Sequence, residues 1–440
     1  SDQLVMSQRF YSTKSPGDFV DVKEAVLRSL PADNGLYMPE KIEPLGDDFW
    51  NGWRDLSLSQ LGFRIARQVF RESIPADQLE MIVHEAINFP APLVTVKEKE
   101  YVLELYHGPT LAFKDFGARF MARLMRWLTR DDDGLLTVLV ATSGDTGGAV
   151  ASAFHKVPGT RVIILYPKGK VSGLQEKQLT TLGDNIIALE IEGTFDDCQR
   201  LVKSAFLKRE MSDRMNLTSA NSINISRLVP QSFYYFDAAR NLPEGAKPTF
   251  VIPSGNFGNL TAGLFAEEMG LPVEQFVAAT NRNDVVPVYL KEGEYCPRPS
   301  VATISNAMDV GAPSNFARME SIFGSEWERM RSRIAGFAYD DEITRDTIRR
   351  VKAETGYTLE PHGAVGWMAA EAWRKDHPEA HTVVFETAHP SKFLDVMEEE
   401  LGKSAIEIPE RLACLADREK VAIQLGTDES AFQDWLEGLE

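Results

Sequence analysis

Lys114 lies in the run His107-Gly108-Pro109-Thr110-Leu111-Ala112-Phe113-Lys114-Asp115-Phe116-Gly117, between two aromatics and just after a Gly-Pro turn signal. An ammonium in apolar surroundings is costly unless it is paired, neutral or covalently used, so this lysine suits Schiff-base chemistry with a carbonyl compound. The run also reads as an ordinary helix surface, with Lys114 beside Asp115 and its stem over Phe113 and Phe116. Three turns elsewhere in the chain have the composition of ligand loops. Thr142-Ser143-Gly144-Asp145-Thr146-Gly147-Gly148 follows a β-branched run, and amides at a helix start beside hydroxyls suit a carboxylate. The competing reading is a plain N-cap by Ser143 or Thr146.

The second turn, Pro253-Ser254-Gly255-Asn256-Phe257-Gly258-Asn259, can wrap a phosphate with backbone amides at a helix N-terminus. No Gly-Lys-Ser/Thr follows and the glycine spacing is not that of a dinucleotide loop, which favours a phosphate-bearing cofactor that is not a nucleotide. The third, Thr387-Ala388-His389-Pro390-Ser391, ends an apolar strand. Thr387 stands at the strand end, and His389 reads as a base or as a structural residue. Asn221-Ser222-Ile223-Asn224-Ile225-Ser226-Arg227 sets an amide, a hydroxyl and a guanidinium close together, which suits a tetrahedral phosphate. A polar helix entry carrying a solvent-facing arginine would look the same.

The elements that must carry these residues alternate. Strands are expected at Tyr101–Leu105, Leu135–Ala141, Val162–Tyr166, Ile186–Ile191, Thr249–Pro253, Phe276–Thr280 and Thr382–Glu386. Helices are expected between them, including Ala118–Trp127, Gly148–Phe154, Leu174–Leu182, Phe195–Arg209, Leu260–Met269, Ala364–Arg374 and Ser391–Leu401. This rhythm argues for two open, mainly parallel α/β domains with ligands at the C-terminal strand ends in a cleft between them. Before about residue 95 the pattern is mixed and largely helical, in Val22–Leu30, Leu58–Phe70 and Ala76–Ile87. The expected division is 1–98 for an N-terminal region, 99–245 for a first α/β domain and 246–440 for a second. The length, 440 residues, fits about two or three such units.

Composition narrows the partners. With 43% hydrophobic and 25% charged residues the chain reads as globular, and its formal net charge of −18 disfavours nucleic acid and anionic membranes. No apolar run reaches the length of about 18 residues that a membrane span needs. Three cysteines, Cys198, Cys296 and Cys414, show no metal spacing, and no basic-then-apolar leader pattern opens the chain. A cytoplasmic monomer or homodimer acting on a small molecule is expected.

As an ordered set, the segments resemble the threonine synthase family, pyridoxal-phosphate enzymes of the tryptophan-synthase-β-like fold (fold type II). The resemblance starts at Tyr37 in Gly35-Leu36-Tyr37-Met38-Pro39-Glu40. It continues through the stretches above and through Asn281–Asp284, Ala307–Arg318, Pro361–Gly366 and Thr387–Phe393. It implies that Lys114 holds pyridoxal 5'-phosphate and shuttles protons, that Gly255, Asn256, Phe257, Gly258 and Asn259 cradle the cofactor phosphate, and that Asp145 lies near the ring hydroxyl. Thr387 would meet the pyridine nitrogen, where a neutral hydroxyl makes a milder electron sink than an acid. Ser143, Thr146 and Gly147 would take the substrate carboxylate, while Asn221, Ser222 and Arg227, with Lys392, would grip the substrate phosphate. The implied reaction converts O-phospho-L-homoserine and water to L-threonine and phosphate. A same-fold phospho-lyase or threonine/serine dehydratase is the alternative. Two positions depart from the family pattern: Glu360 stands where an Asp is expected, and Ile225-Ser226 replaces an aromatic-plus-small pair before Arg227. The last 40 or so residues carry no recognisable motif and read as a loosely constrained terminus.

Overall fold

The computed structural model describes residues 7–440. Two sheets organise it. One has five parallel strands in the order Ile423–Leu425, Ile186–Ile191, Thr160–Pro167, Leu136–Ala141, Leu217–Ser219. The other has six, in the order Ile334–Ala338, Gln275–Thr280, Pro248–Pro253, His381–Glu386, Glu100–Glu104, Leu93–Lys97, and only its last pair is antiparallel. Parallel neighbours need crossover helices, and these cover both faces. That is why Pro248–Pro253 and Gln275–Thr280 are buried at every position instead of alternating. A three-stranded antiparallel sheet (Phe10–Ser12, Ser15–Val20, Tyr37–Pro39) and the helices Val22–Arg28, Leu58–Phe70 and Ala76–Ala86 make the N-terminal region.

One large core runs between the two sheets and under the N-terminal helices, and smaller cores fill the outer face of each sheet. The sheets do not follow the divisions expected at 98/99 and 245/246. Glu100–Glu104, assigned by the sequence to the first α/β unit, pairs with His381–Glu386 of the second, whereas Ile423–Leu425 crosses back to the first. Each sheet is therefore built from distant stretches of chain, and pairing over such separations leaves no local mark in the sequence. The C-terminal stretch is also firmly held, with Phe432 and Leu436 of the helix Glu429–Glu437 buried in the outer core of the five-stranded sheet.

Several element boundaries matter for the site. The helix expected at Ala118–Trp127 runs Lys114–Leu128, so the lysine is its first residue; Phe113 precedes it with no side-chain cap, which hides the start from a capping argument. The next helix begins at Asp145, three residues before the expected Gly148. The helix expected at Ser391–Leu401 is a 3₁₀ turn, Pro390–Phe393, followed by Leu394–Leu401. The helix Gln231–Arg240 was not expected at all. It is buried on nearly every side, so it has no amphipathic period to read.

Candidate active site

The turn ahead of Lys114 is closed by Asp115, whose carboxylate accepts the Thr110 amide at 2.9 Å and the Thr110 hydroxyl at 2.7 Å. Gly108 makes room, because a Cβ there would lie 2.6 Å from Asp115 Oδ2. Asp115 is fully buried, and that burial pushes its carboxyl up to about 6 despite the two Thr110 bonds. It is thus committed to the loop, and the surface reading of Lys114 with Asp115 as its neighbour fails. The Phe113 amide donates to Thr387 O at 2.8 Å and the His389 amide to Leu111 O at 3.0 Å, which laces the lysine turn to the end of the His381–Glu386 strand. Leu111 holds a left-handed φ of 64° and packs under Leu412 and Leu415 of the C-terminal segment.

From this turn Lys114 Nζ reaches across to Thr146 Oγ1 at 2.9 Å. Burial lowers its pKa to about 8; Asp145 pulls it upward, while Arg227 and Lys392 push it further down. A lysine near 8 has a useful fraction of neutral amine at physiological pH, the form that attacks an aldehyde or takes a proton. Asp145 faces the opposite balance. Burial alone would raise its carboxyl, but Lys392 and Lys114 hold it at about 2. The Lys392 ammonium lies 2.9 Å from Asp145 Oδ1 and donates to Gln178 Oε1 at 2.8 Å, and Gln175 Nε2 donates to Asp145 Oδ1 at 3.1 Å. Lys392, expected with the substrate phosphate, is tied to Asp145 instead.

In the turn after Leu136–Ala141, neither Ser143 nor Thr146 is the cap. Thr142 Oγ1 accepts the Gly144 and Gly147 amides at 2.9 and 2.8 Å. The Gly147 amide, expected to serve a carboxylate, is thereby used, and glycine is needed there for packing, since a Cβ would lie 2.5 Å from Thr142 Cγ2. Ser143 is exposed at the turn, and the amides of Asp145 and Thr146 remain as first-turn donors.

Arg227 is 3% exposed. Its Nη1 donates to Ala220 O at 3.0 Å, folding the side chain beneath Asn221 and Ser222, which stay partly open. Its Nε has no partner among the described residues, and desolvation lowers its pKa to about 10 with no carboxylate to offset it. Gly117 lets the lysine helix lie directly on the Arg227 backbone, where a Cβ would lie 2.6 Å from Arg227 O.

On the other sheet, the turn after Pro248–Pro253 contains Phe257 at a left-handed φ of 65°, an uncommon conformation for a bulky residue, and Phe257 precedes the helix Gly258–Glu268. Gly255 is packed so closely that a Cβ would collide with Ala307 O. Asn259 Oδ1 accepts the hydroxyls of Tyr234 (2.8 Å) and Tyr235 (3.2 Å), leaving the buried Nδ2 without a partner among the described residues. A glycine-tight turn at a helix start, an amide donor with nothing to donate to, and a lysine with a depressed pKa fit a phosphate-bearing aldehyde. Gln175, Gln178 and Thr142 were missed by sequence reasoning. The two glutamines lie three apart on the helix Gly173–Thr180, a spacing that would have placed both on one face.

Family models match nearly the whole described chain: "Threonine synthase N terminus" at residues 9–87, "Pyridoxal-phosphate dependent enzyme" at 87–387 and "Threonine synthase, C-terminal" at 363–435. A threonine synthase from Haemophilus influenzae is 46% identical over 406 residues, covering 91% of this chain and 93% of the relative. The one from Escherichia coli is 43% identical over 427 residues, covering 97% and 98%. The chain belongs to the threonine synthase family. The crystal structure of a pyridoxal-phosphate-bound threonine synthase from Brucella melitensis superposes with a TM-score of 0.91 at 34% identity, covering 98% of this chain and 99% of that one. With the threonine synthase fold come the family's cofactor, pyridoxal phosphate, and its lyase activity. The C-terminal family model also overlaps the stretch that the sequence alone left without a motif. Among the described residues no helix is long and apolar enough to cross a membrane.

Proposed function

We propose that Lys114 is the residue that binds pyridoxal phosphate and moves protons in the conversion of O-phospho-L-homoserine and water to L-threonine and phosphate. Gly255, Asn256, Phe257, Gly258 and Asn259 hold the cofactor phosphate, with Asn259 Nδ2 as a ready donor, and Thr387 offers a neutral hydroxyl to the pyridine nitrogen. When bound, the cofactor supplies an electron sink conjugated to the substrate nitrogen, which acidifies the adjacent C–H bonds. Lys114 Nζ, near pKa 8, takes the Cα proton and returns one later in the cycle. Thr146 Oγ1 orients that amine, and the Ser143–Thr146 turn receives the substrate carboxylate. Asp145, kept ionised by Lys392, fixes the electrostatic balance beside the amine.

Arg227, with Asn221 and Ser222, binds the leaving phosphate. Over the whole reaction the Cγ–O bond breaks and phosphate leaves with the electron pair, Cβ gives up one proton and gains the hydroxyl of water, and Cγ gains a proton. The observation that carries this reading is the buried guanidinium of Arg227, unpaired by any carboxylate among the described residues yet close enough to Lys114 to depress its pKa. A same-fold dehydratase acting on a phosphate-free substrate has no use for it. We place the enzyme in the cytoplasm as a monomer or homodimer, consistent with three free cysteines and the acidic surface charge. The test is to mix the protein with phosphohomoserine and measure threonine and phosphate. Equal release that disappears in Lys114→Ala is expected; phosphate accompanied by a keto acid would instead assign a phospho-lyase.

A further inference from the structure

Behind the cleft lies a group of acids with no part in the chemistry above. Glu386, the last residue of its strand, and Glu360, the cap of the helix Pro361–Asp376, are both fully buried. Glu360 is well supplied with donors. Its Oε1 accepts the Gly363 amide at 2.7 Å, and its Oε2 accepts the His362 amide at 2.9 Å and lies 2.8 Å from His362 Nδ1. His362 Nε2 accepts the Ala307 amide at 3.1 Å, which assigns the ring proton to Nδ1 and makes it a donor to Glu360. Three donor contacts, two from the helix start and one from the imidazole, describe an ionised carboxylate.

Glu386 is placed differently. Its Oε2 accepts the Glu360 amide at 3.0 Å, but Oε1 finds no donor among the described residues and lies against the Cα of Gly363, where any Cβ would collide with it. The titratable groups that face it are Glu360 at the helix start, itself held by His362, Glu104 at the end of the strand alongside with Tyr106 just beyond it, and Tyr357 from the loop before the helix. A carboxylate oxygen without a donor, beside a second carboxylate, is a very costly arrangement. A proton on it turns an orphaned acceptor into a donor for Glu360.

We propose that Glu386 and Glu360 form a buried carboxylic acid–carboxylate pair and act, through His362, as a positioning strut between the two ends of the cofactor site. The connections are direct. Glu386 immediately precedes Thr387, whose carbonyl accepts from Phe113 next to Lys114. At the other end His362 holds the Ala307 amide, and the Ala307 carbonyl packs against Gly255 of the phosphate turn. The Thr387 strand end, the lysine turn and the Gly255 turn are thus joined through hydrogen bonds, one peptide link and one close packing contact. Burial and Glu360 both drive the Glu386 carboxyl well above its ordinary pKa, consistent with that proton. The strut rests on the assignment of Thr387 and Gly255 to the cofactor, whereas the shared proton does not.

Two measurements separate these parts. Glu386→Gln is isosteric with the protonated acid and keeps both its donor and its acceptor. In denaturant unfolding of the cofactor-free protein, the unfolding constant of the wild type should therefore rise relative to that of Glu386→Gln. The expected slope approaches tenfold per pH unit from about pH 5.5 upward, for as long as only the unfolded wild type releases the proton. Parallel pH profiles would overturn the pair. For the strut, pyridoxal phosphate is titrated into cofactor-free protein. Glu386→Gln should bind within about twofold of wild type, while Glu360→Gln and His362→Phe should each weaken binding by about tenfold or more, the range of losses seen when a supporting hydrogen bond behind a binding group is removed. If Gly255→Ala loses affinity but Glu360→Gln and His362→Phe do not, the cradle stands and the strut is refuted. If Gly255→Ala also binds normally, the cofactor assignment fails and the strut fails with it.

Discussion

Arg227 gives a prediction whose sign is opposite for stability and for function. Burial lowers its pKa to about 10, a penalty of about 3 kcal/mol at about 1.4 kcal/mol per pKa unit. At neutral pH the guanidinium is charged in both the folded and the unfolded chain. The whole penalty is therefore present there, and it fades only as pH rises through about 10. Arg227→Met removes the buried charge while filling the space, and loses the charge-assisted bond to Ala220 O, worth about 2 kcal/mol. The holoenzyme should then be more stable by about 1 kcal/mol in urea unfolding with no phosphate present. Inorganic phosphate, the product, should stabilise the wild type by mass action and leave the variant unchanged, and the KM for phosphohomoserine should rise by about a hundredfold. The reasoning fails if Arg227→Met is less stable than the wild type without phosphate, or if phosphate protects both proteins equally.

The Lys114 amine should titrate near 8 instead of 10.5, so in cofactor-free protein its acylation rate should have a midpoint close to pH 8. A midpoint above 10 would contradict the buried, cation-flanked placement, and Lys114→Ala should abolish irreversible fixation of the cofactor by borohydride. Lys392→Met should release Asp145 from its depressed pKa. The stabilisation at stake, from 3.8 to about 2, is about 2 kcal/mol; it is present above the unfolded pKa and lost as pH falls through about 2. The variant should thus be weaker at neutral pH and converge on the wild type in strong acid, as followed by denaturant midpoints across the acid range; a constant offset would refute the ion-pair account.

Reading the residues in order located the elements and the turns. A strand of β-branched residues or a glycine–hydroxyl turn owes its conformation to neighbours within a few positions, so the alternation of strands and helices and the polar turns were legible in the chain itself, while the roles of residues such as Asp145 and Lys392 came from the family resemblance. Partnership is another matter. That Asp115 serves Thr110 and not Lys114, that Thr142 closes the turn given to Ser143 and Thr146, that Lys392 answers Asp145, and that Arg227 meets no acid among the described residues are outcomes of which groups folding brings together. The same holds for Glu100–Glu104 joining the far sheet and for the last residues closing the near one. Local sequence sets what each segment can be. The tertiary structure decides which polar groups are paired once water is excluded, and those pairings set the charge on Lys114 and leave the Arg227 Nε without a partner among the described residues.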